Sequence, residues 1–172
     1  DKIIPDVVKG IKPSGIRRFF DIASELEGVI SLGVGEPDFP TPWAVRKTAI
    51  KTLEKGKTVY TANSGLIELR QAISAYLNRR FKLEYNPKNE MIVTVGGSEA
   101  IDLGIRALIR PGDEVLIVEP CFVCYSPLVE LAGGIPVSIE TKEEDNFKLT
   151  AKALKEKITE KTKVLILPYP NN

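Results

Sequence analysis

Apolar side chains recur along this chain with two different spacings, and the spacing predicts where helices lie. Thr41-Pro42 fits a helix cap followed by proline in the first turn, and residues 45–53 then carry apolar side chains at helical intervals. Residues 66–80 repeat that pattern, which predicts a second amphipathic helix. Shorter helices are predicted at residues 15–27, 100–109, 122–132 and 150–158.

Four short apolar runs predict strands, at residues 91–95, 114–118, 135–139 and 163–167. Residues 115–118 and 164–167 are apolar at every position, which is typical of strands covered on both faces. Strands that alternate with helices predict a layered α/β domain with a mostly parallel sheet. The first forty residues lack this alternation. Residues 1–40 are therefore predicted to form an arm and the start of a small domain, and residues 41–172 an incomplete large domain.

Composition and charge exclude several classes of protein. The 172 residues carry 24 Lys and Arg against 23 Asp and Glu, so the net charge of +1 gives no long-range attraction for a nucleic acid. No apolar run approaches the roughly 20 residues that cross a membrane, and the first residues do not resemble a signal peptide. We expect a cytoplasmic protein without a nucleic-acid or membrane partner.

The chain has two cysteines, Cys121 and Cys124, and no histidine. Their Cys-x-x-Cys spacing occurs in redox dithiols and in half of a zinc site, but zinc needs about four ligands and no second pair exists here. We therefore expect reduced thiols packed as small apolar groups, and no metal.

The junction between the predicted strand at residues 91–95 and the next helix contains Gly96, Gly97, Ser98 and Glu99. A helix leaves its first backbone N–H groups unpaired, and glycines allow a phosphate to approach them. The alternative is a tight turn without a ligand. The junction has neither the Walker lysine nor the spaced glycines of dinucleotide-binding loops, which favours a cofactor with a single phosphate.

Two more residues follow predicted strands. Phe122 comes shortly after the strand at residues 114–118, and Asn172 comes after the strand at residues 163–167. Carboxyl ends of parallel strands share one edge of a sheet, so both side chains are expected beside the glycine junction. There the ring would stack on a planar ligand and the amide would donate to a ligand oxygen. An ordinary core aromatic and a turn asparagine are the alternatives.

Five motifs follow one another in the sequence: residues 33–42, residues 60–65 with Glu68-Leu69-Arg70, residues 97–100, residues 111–115, and Pro170-Asn171-Asn172. In this order they resemble the class I/II aminotransferases, pyridoxal-phosphate enzymes of fold type I, in the branch of bacterial and archaeal aspartate and aromatic aminotransferases. The resemblance covers essentially the whole chain. It implies a three-layer α/β sandwich whose large domain binds the cofactor. Residues 14–20 and 35–42 are most similar to a sub-branch that includes a diaminopimelate-pathway aminotransferase.

The resemblance also implies a role for individual residues. Backbone and side-chain groups of Gly97, Ser98 and Glu99 would hold the phosphate of pyridoxal 5'-phosphate. Phe122 would stack on the pyridine ring, and Asn172 would bond its phenolic oxygen.

Three further roles come from the same resemblance. Tyr60 would reach the phosphate bound by a partner subunit, which implies a homodimer. Gly35 would lie against the substrate carboxylate, and Ile16 would touch the substrate. From the residues alone, Tyr60 would be a core or interface aromatic and Gly35 a turn glycine.

In the family, the Schiff-base lysine, the aspartate that pairs with the pyridinium nitrogen and the arginine that binds the substrate carboxylate all match positions beyond Asn172. We therefore expect this chain to be the N-terminal part of an aminotransferase that acts on amino-acid and 2-oxo-acid substrates. By itself the chain would contain no catalytic residue and would be inactive. The alternatives are a carbon-sulfur β-lyase or a related enzyme on the same fold, a cofactor-binding regulatory domain, and a non-catalytic α/β domain.

Overall fold

A computed structural model describes residues 3–13 and 37–171, with the single positions 15, 19, 22, 25, 26, 28, 30 and 35. Ile16 and Asn172 lie outside the described residues, as does most of the helix predicted at residues 15–27. The chain divides into two compact units, Asp1–Pro13 with Val93–Asn172, and Ser14–Ile92. The boundary expected between residues 40 and 41 stays a prediction.

The described elements are, in chain order, α1 (Asp6–Gly10), α2 (Trp43–Glu54), α3 (Ile67–Phe81), α4 (Gly97–Leu108), β1 (Glu114–Glu119), α5 (Tyr125–Leu131), β2 (Ile135–Glu140), a 3-10 turn (Glu143–Asp145), α6 (Ala151–Lys157) and β3 (Thr162–Ile166). The strands form one parallel sheet in the order β2-β1-β3. The α/β class, the parallel sheet and three of the four predicted strands are confirmed.

The predicted strand at residues 91–95 is wrong. In the described structure residues 91–94 have no regular secondary structure, Val95 lies in a bend, and none of them belongs to a sheet. A strand needs a neighbour for its backbone groups, whereas the N–H of Val95 donates to the carboxylate of Glu99 at 2.5 Å. The Val95 side chain is 95% exposed, so burial adds nothing to favour a strand here.

One face of the sheet carries the core of the unit formed by Asp1–Pro13 and Val93–Asn172. Val115 and Ile117 of β1 pack with Ile105 of α4 and with Ile109, the residue that follows this helix. Val129 of α5 belongs to the same cluster. All five side chains are buried. This face therefore fixes the position of α4 against the sheet.

Gly134, between α5 and β2, allows these elements to approach closely. A Cβ at this position would lie 2.6 Å from Cδ1 of Ile109 and 2.9 Å from Cγ1 of Val129. Any side chain would push the helices away from the sheet. Glycine at position 134 is therefore a packing requirement.

The opposite face of the sheet is covered unevenly. Leu116, Val118 and Ile139 are buried there, whereas Leu165 and Leu167 are 36% and 58% exposed. The prediction that both faces are covered is thus confirmed for β1 and wrong for β3. The reason is position: β1 is the central strand, while β3 is an edge strand and α6 packs beside β2.

The unit Ser14–Ile92 contains α2 and α3, both as predicted, although the N-cap of α2 is Pro42 and not Thr41. Arg70 of α3 is only 6% exposed and donates through one guanidinium nitrogen to the carbonyls of Pro87 (2.5 Å) and Lys88 (3.1 Å). This buried cation therefore holds the turn that follows α3 against the helix. In neither unit does a described helix have the length and apolar character needed to cross a membrane.

Candidate functional site

Helix α4 begins at a turn suited to glycine. Gly96, the N-cap residue, has φ 93° and ψ 163°, a conformation that side chains with a Cβ rarely adopt. The backbone N–H groups of Gly97, Ser98 and Glu99 lie in the first turn, where a helix has no internal acceptor. The described residues supply no other backbone or side-chain acceptor for them. A Cβ on Gly96 or Gly97 would meet no atom within 4 Å, so the space beside this turn is open.

Two side-chain hydrogen bonds stabilise this turn. The carboxylate of Glu99 accepts from the N–H of Val95 at 2.5 Å, and the hydroxyl of Thr94 donates to the carbonyl of Gly96 at 2.9 Å. Because its carboxylate is negative and already bonded, Glu99 can offer an anion only its backbone N–H. The positive end of the α4 dipole adds to the attraction for an anion here.

The loop after β1 lies next to the start of α4. Burial raises the pKa of the Cys124 thiol above its ordinary value, and a hydrogen bond from the Ser98 hydroxyl opposes part of that rise. This contact joins Ser98 to the segment that contains Phe122. The structure thus brings together the start of α4 and the loop after β1, although residues 91–95 are not a strand of the sheet.

Phe122 is half-buried and meets Tyr125 edge to face, with ring centroids 6.0 Å apart and an interplanar angle of 82°. The neighbouring Cys121 packs against the core, and burial is the main reason that its thiol pKa is raised. Cys121 and Cys124 are both free thiols. Protonated, half-buried thiols agree with the prediction that they pack as small apolar groups.

The segments after the three strands are tied together by hydrogen bonds. The backbone N–H and the hydroxyl of Thr141, after β2, donate to the carbonyl of Glu119 at 2.8 and 2.6 Å. The side-chain amide of Asn171, after β3, donates to the carbonyl of Pro120 at 2.6 Å. Pro120 is two residues before Phe122, and Asn171 precedes Asn172. The carboxyl edge of the sheet is therefore a connected structure.

A cleft of about 680 Å³ lies at this edge. Its lining includes Pro120, Thr141, Phe147, Leu167 and Asn171. None of the predicted site residues Gly97, Ser98, Glu99 and Phe122 lines it. They lie at the turn before α4 and in the loop after β1.

Sequence reasoning missed Asn171 and Thr141 as residues that connect the strand ends. Asn171 stands in a motif of the family but has no role predicted from it, and Thr141 has no signal beyond its place after a strand. Tyr60, a predicted site residue in the unit Ser14–Ile92, is fully exposed. A Cβ on Gly35 would meet no atom within 4 Å. The contacts expected for Tyr60, Gly35 and Ile16 stay predictions.

Comparison with known proteins identifies relatives for most of the chain. The family model for aminotransferase class I and II matches residues 27–172. The Bacillus subtilis (strain 168) protein YugH is 57% identical over 169 residues, which cover 98% of this chain and 44% of YugH. The aspartate aminotransferase of Pyrococcus abyssi (strain GE5 / Orsay) is 47% identical over 162 residues, 94% of this chain and 42% of that enzyme.

Solved structures agree with these sequence relatives. The aspartate aminotransferase of Thermotoga maritima superimposes with a TM-score of 0.91 at 35% identity, covering 98% of this chain and 46% of that one. The aromatic aminotransferase of Pyrococcus horikoshii OT3 gives a TM-score of 0.81 at 44% identity, with 91% and 42% covered. The chain thus spans less than half the length of the relatives it matches.

Proposed function

This chain belongs to the aminotransferase class I and II family, and from that premise we propose that the full-length protein is a pyridoxal-phosphate-dependent aminotransferase. Such an enzyme moves an amino group from an amino acid to a 2-oxo acid. The observation that carries the proposal is the turn at Gly96, where three backbone N–H groups have no acceptor among the described residues and the space beside the turn is open. A single phosphate group fits this arrangement because it needs several donors converging on one small anion.

The residues of this chain would bind and orient the cofactor. Gly97, Ser98 and Glu99 would donate backbone N–H groups to the phosphate, and the Ser98 hydroxyl would add a donor by turning its proton from the Cys124 sulfur to the phosphate. Phe122 would cover one face of the pyridine ring, and Asn172 would donate to its phenolic oxygen. Two contacts support this assignment: the hydrogen bond between Ser98 and Cys124 joins the turn to the loop after β1, and the bond from Asn171 to Pro120 joins that loop to the segment after β3.

When bound, pyridoxal phosphate supplies an electron sink for the charge left on the substrate when a bond to its Cα breaks. The residues of this chain would hold the ring in one orientation relative to the substrate. Loss of the phosphate donors should therefore weaken cofactor retention more than the chemistry itself. Gly35 and Ile16 would contact the substrate, and Tyr60 would complete the site of a partner subunit in a homodimer in the cytoplasm.

A direct experiment starts from purified full-length protein mixed with pyridoxal phosphate. We expect a visible absorption band and the formation of glutamate from 2-oxoglutarate with an amino donor. Aspartate is the first donor to test, because two relatives are named aspartate aminotransferases, and aromatic amino acids are the second. A polypeptide that ends at Asn172 serves as the inactive comparison.

The same assay separates the alternatives. Ammonia release without amino transfer would replace the proposal with a β-lyase. Cofactor binding without turnover of any donor would favour a regulatory domain. A protein that stays colourless and releases the cofactor on gel filtration would overturn the proposal altogether.

A further inference from the structure

We propose that Asn171 is a positioning residue that sets the spacing between the two loops expected to flank the cofactor ring. The inference rests on the proposed function, because it assigns a purpose to a contact beside that site. The side-chain amide of Asn171 donates to the carbonyl of Pro120 at 2.6 Å, across 51 positions of sequence. One end of this bond is in the segment after β3, and the other is in the segment after β1.

The β1–β3 ladder stops before this point. Its last pair is Ile117 with Ile166, and the chains then continue toward the site without further pairing. Pro168, Pro170 and Pro120 have no N–H, which removes three of the backbone donors that could have continued the ladder. The Asn171 amide joins them again beyond the prolines. A side chain thus connects the two segments where the backbone ladder has ended.

The connection matters because each of its ends lies close in sequence to a residue proposed to bind the cofactor. Phe122, proposed to stack on the ring, is two residues after Pro120, and Asn172, proposed to bond the phenolic oxygen, is next to Asn171. Successive Cα atoms are about 3.8 Å apart, so a fixed Pro120–Asn171 pair limits the separation open to the two ligand-binding residues. A substitution at Asn171 should therefore change the affinity for the cofactor, although Asn171 is not one of the residues proposed to bind it.

The chemistry of the bond restricts which side chains can replace Asn171. A carbonyl needs a donor, and asparagine supplies an N–H at the correct distance from its backbone. Aspartate has nearly the same shape but, when ionised, only accepts hydrogen bonds, so it would repel the Pro120 carbonyl. Because Asn171 is exposed, water can replace a lost bond, and the cost to overall stability should be small.

The test uses the full-length protein with Asn171→Ala and Asn171→Asp, and with Asn78→Ala as the matched control. Asn78 is also exposed and also donates from its amide, to Glu84 at 3.2 Å, but it belongs to the other unit. The measurements are the dissociation constant of pyridoxal phosphate, the pH dependence of its visible absorption, and the melting temperature of the cofactor-free protein.

We expect Asn171→Ala to raise the dissociation constant about fivefold, the worth of one neutral hydrogen bond, and Asn171→Asp to raise it further. The pH midpoint of the absorption change should shift in both variants. The cofactor-free melting temperature should stay at the wild-type value, and Asn78→Ala should change none of the three measurements.

Two results would overturn the inference. If Asn171→Ala binds and absorbs like the wild type, the Asn171–Pro120 bond does not position the residues that bind the ring. A fall in the cofactor-free melting temperature, with the absorption profile unchanged, would show a purely structural bond. Failure of the wild-type protein itself to bind the cofactor would instead reject the proposed function, and the inference with it, so the two failures are distinguishable.

Discussion

The two ends of α4 differ in what surrounds them. Toward its carboxyl end Ile105 is 4% exposed, and Ile109 just beyond the helix is 8% exposed, both packed against the sheet. At its amino end Gly97 lies beside open space, and its backbone N–H has no acceptor in the described part of the chain. A buried end contributes to the free energy of unfolding, whereas an open end with unpaired donors is available to a ligand. Substitutions should therefore separate into those that change stability and those that change binding.

The largest effect is expected in the core beneath α4. Ile117 is 1% exposed, so Ile117→Ala should lower the free energy of unfolding by about 2–5 kcal/mol through lost burial and the cavity left behind. Urea unfolding of the full-length protein, followed by circular dichroism, measures this loss. Leu108→Ala is the control, because Leu108 is 58% exposed and its truncation should cost far less. Similar losses for both variants would contradict the assignment of the core to this face.

The second-largest effect is expected on cofactor binding, at the amino end of α4. Gly97→Val should leave the unfolding of the cofactor-free protein close to wild type, because no atom lies within 4 Å of the added Cβ. The side chain would fill the space beside the donors. Loss of two hydrogen bonds to a charged phosphate should raise the cofactor dissociation constant roughly 100-fold.

The control for this change is Gly104→Val, the same substitution later in α4, where a Cβ also meets no atom within 4 Å. Its cofactor affinity should remain that of the wild type. Both dissociation constants are measured by titrating the cofactor-free protein and following visible absorption. Wild-type affinity in Gly97→Val would place the phosphate elsewhere.

Glu99 should affect both stability and cofactor affinity, because it stabilises the turn that carries the backbone N–H donors. Glu99→Ala removes the acceptor for the Val95 N–H and should cost about 1 kcal/mol of stability, the usual worth of a capping side chain. Cofactor affinity should fall by a similar factor, about fivefold. Chemical unfolding and the same titration give both numbers. Glu99→Gln keeps an acceptor and should retain most of both properties; equal damage from Ala and Gln would rule out the hydrogen bond as the cause.

The two apolar segments on either side of α4, residues 91–95 and 114–118, show how far a hydrophobic pattern predicts structure. Residues 114–118 are apolar at nearly every position, which predicts a buried strand, and β1 is the central strand of the sheet. Residues 91–95 have a similar apolar character but belong to no sheet in the described structure. Pairing depends on which partners are available, and the competing bond from Val95 to Glu99 cannot be seen in a hydrophobic pattern.

The candidate site is predictable to the extent that it depends on local sequence. Glycines before a helix predict unpaired donors at residues 97–99, and the order of strands predicts that the Phe122 loop lies nearby. The bond from Asn171 to Pro120 cannot be predicted, because it joins two irregular segments 51 positions apart. Its existence depends on where the ladder between β1 and β3 stops.

The smallest expected effect is a pH dependence of stability that comes from Cys121 and Cys124, in the segment after β1. Burial raises the pKa of Cys121 and of Cys124 above the ordinary value of 9.0, so the folded protein keeps both thiols protonated longer than the unfolded chain does. Below pH 9 both states hold neutral thiols, and the stabilising contribution is fully present. Above that pH the unfolded chain releases its protons first, and the contribution is lost as pH rises through the folded pKa values. The free energy of unfolding between pH 7.5 and about 10.5 should fall more steeply in the wild type than in Cys121→Ala/Cys124→Ala. Parallel slopes would mean that the thiols are as accessible in the folded protein as in the unfolded chain.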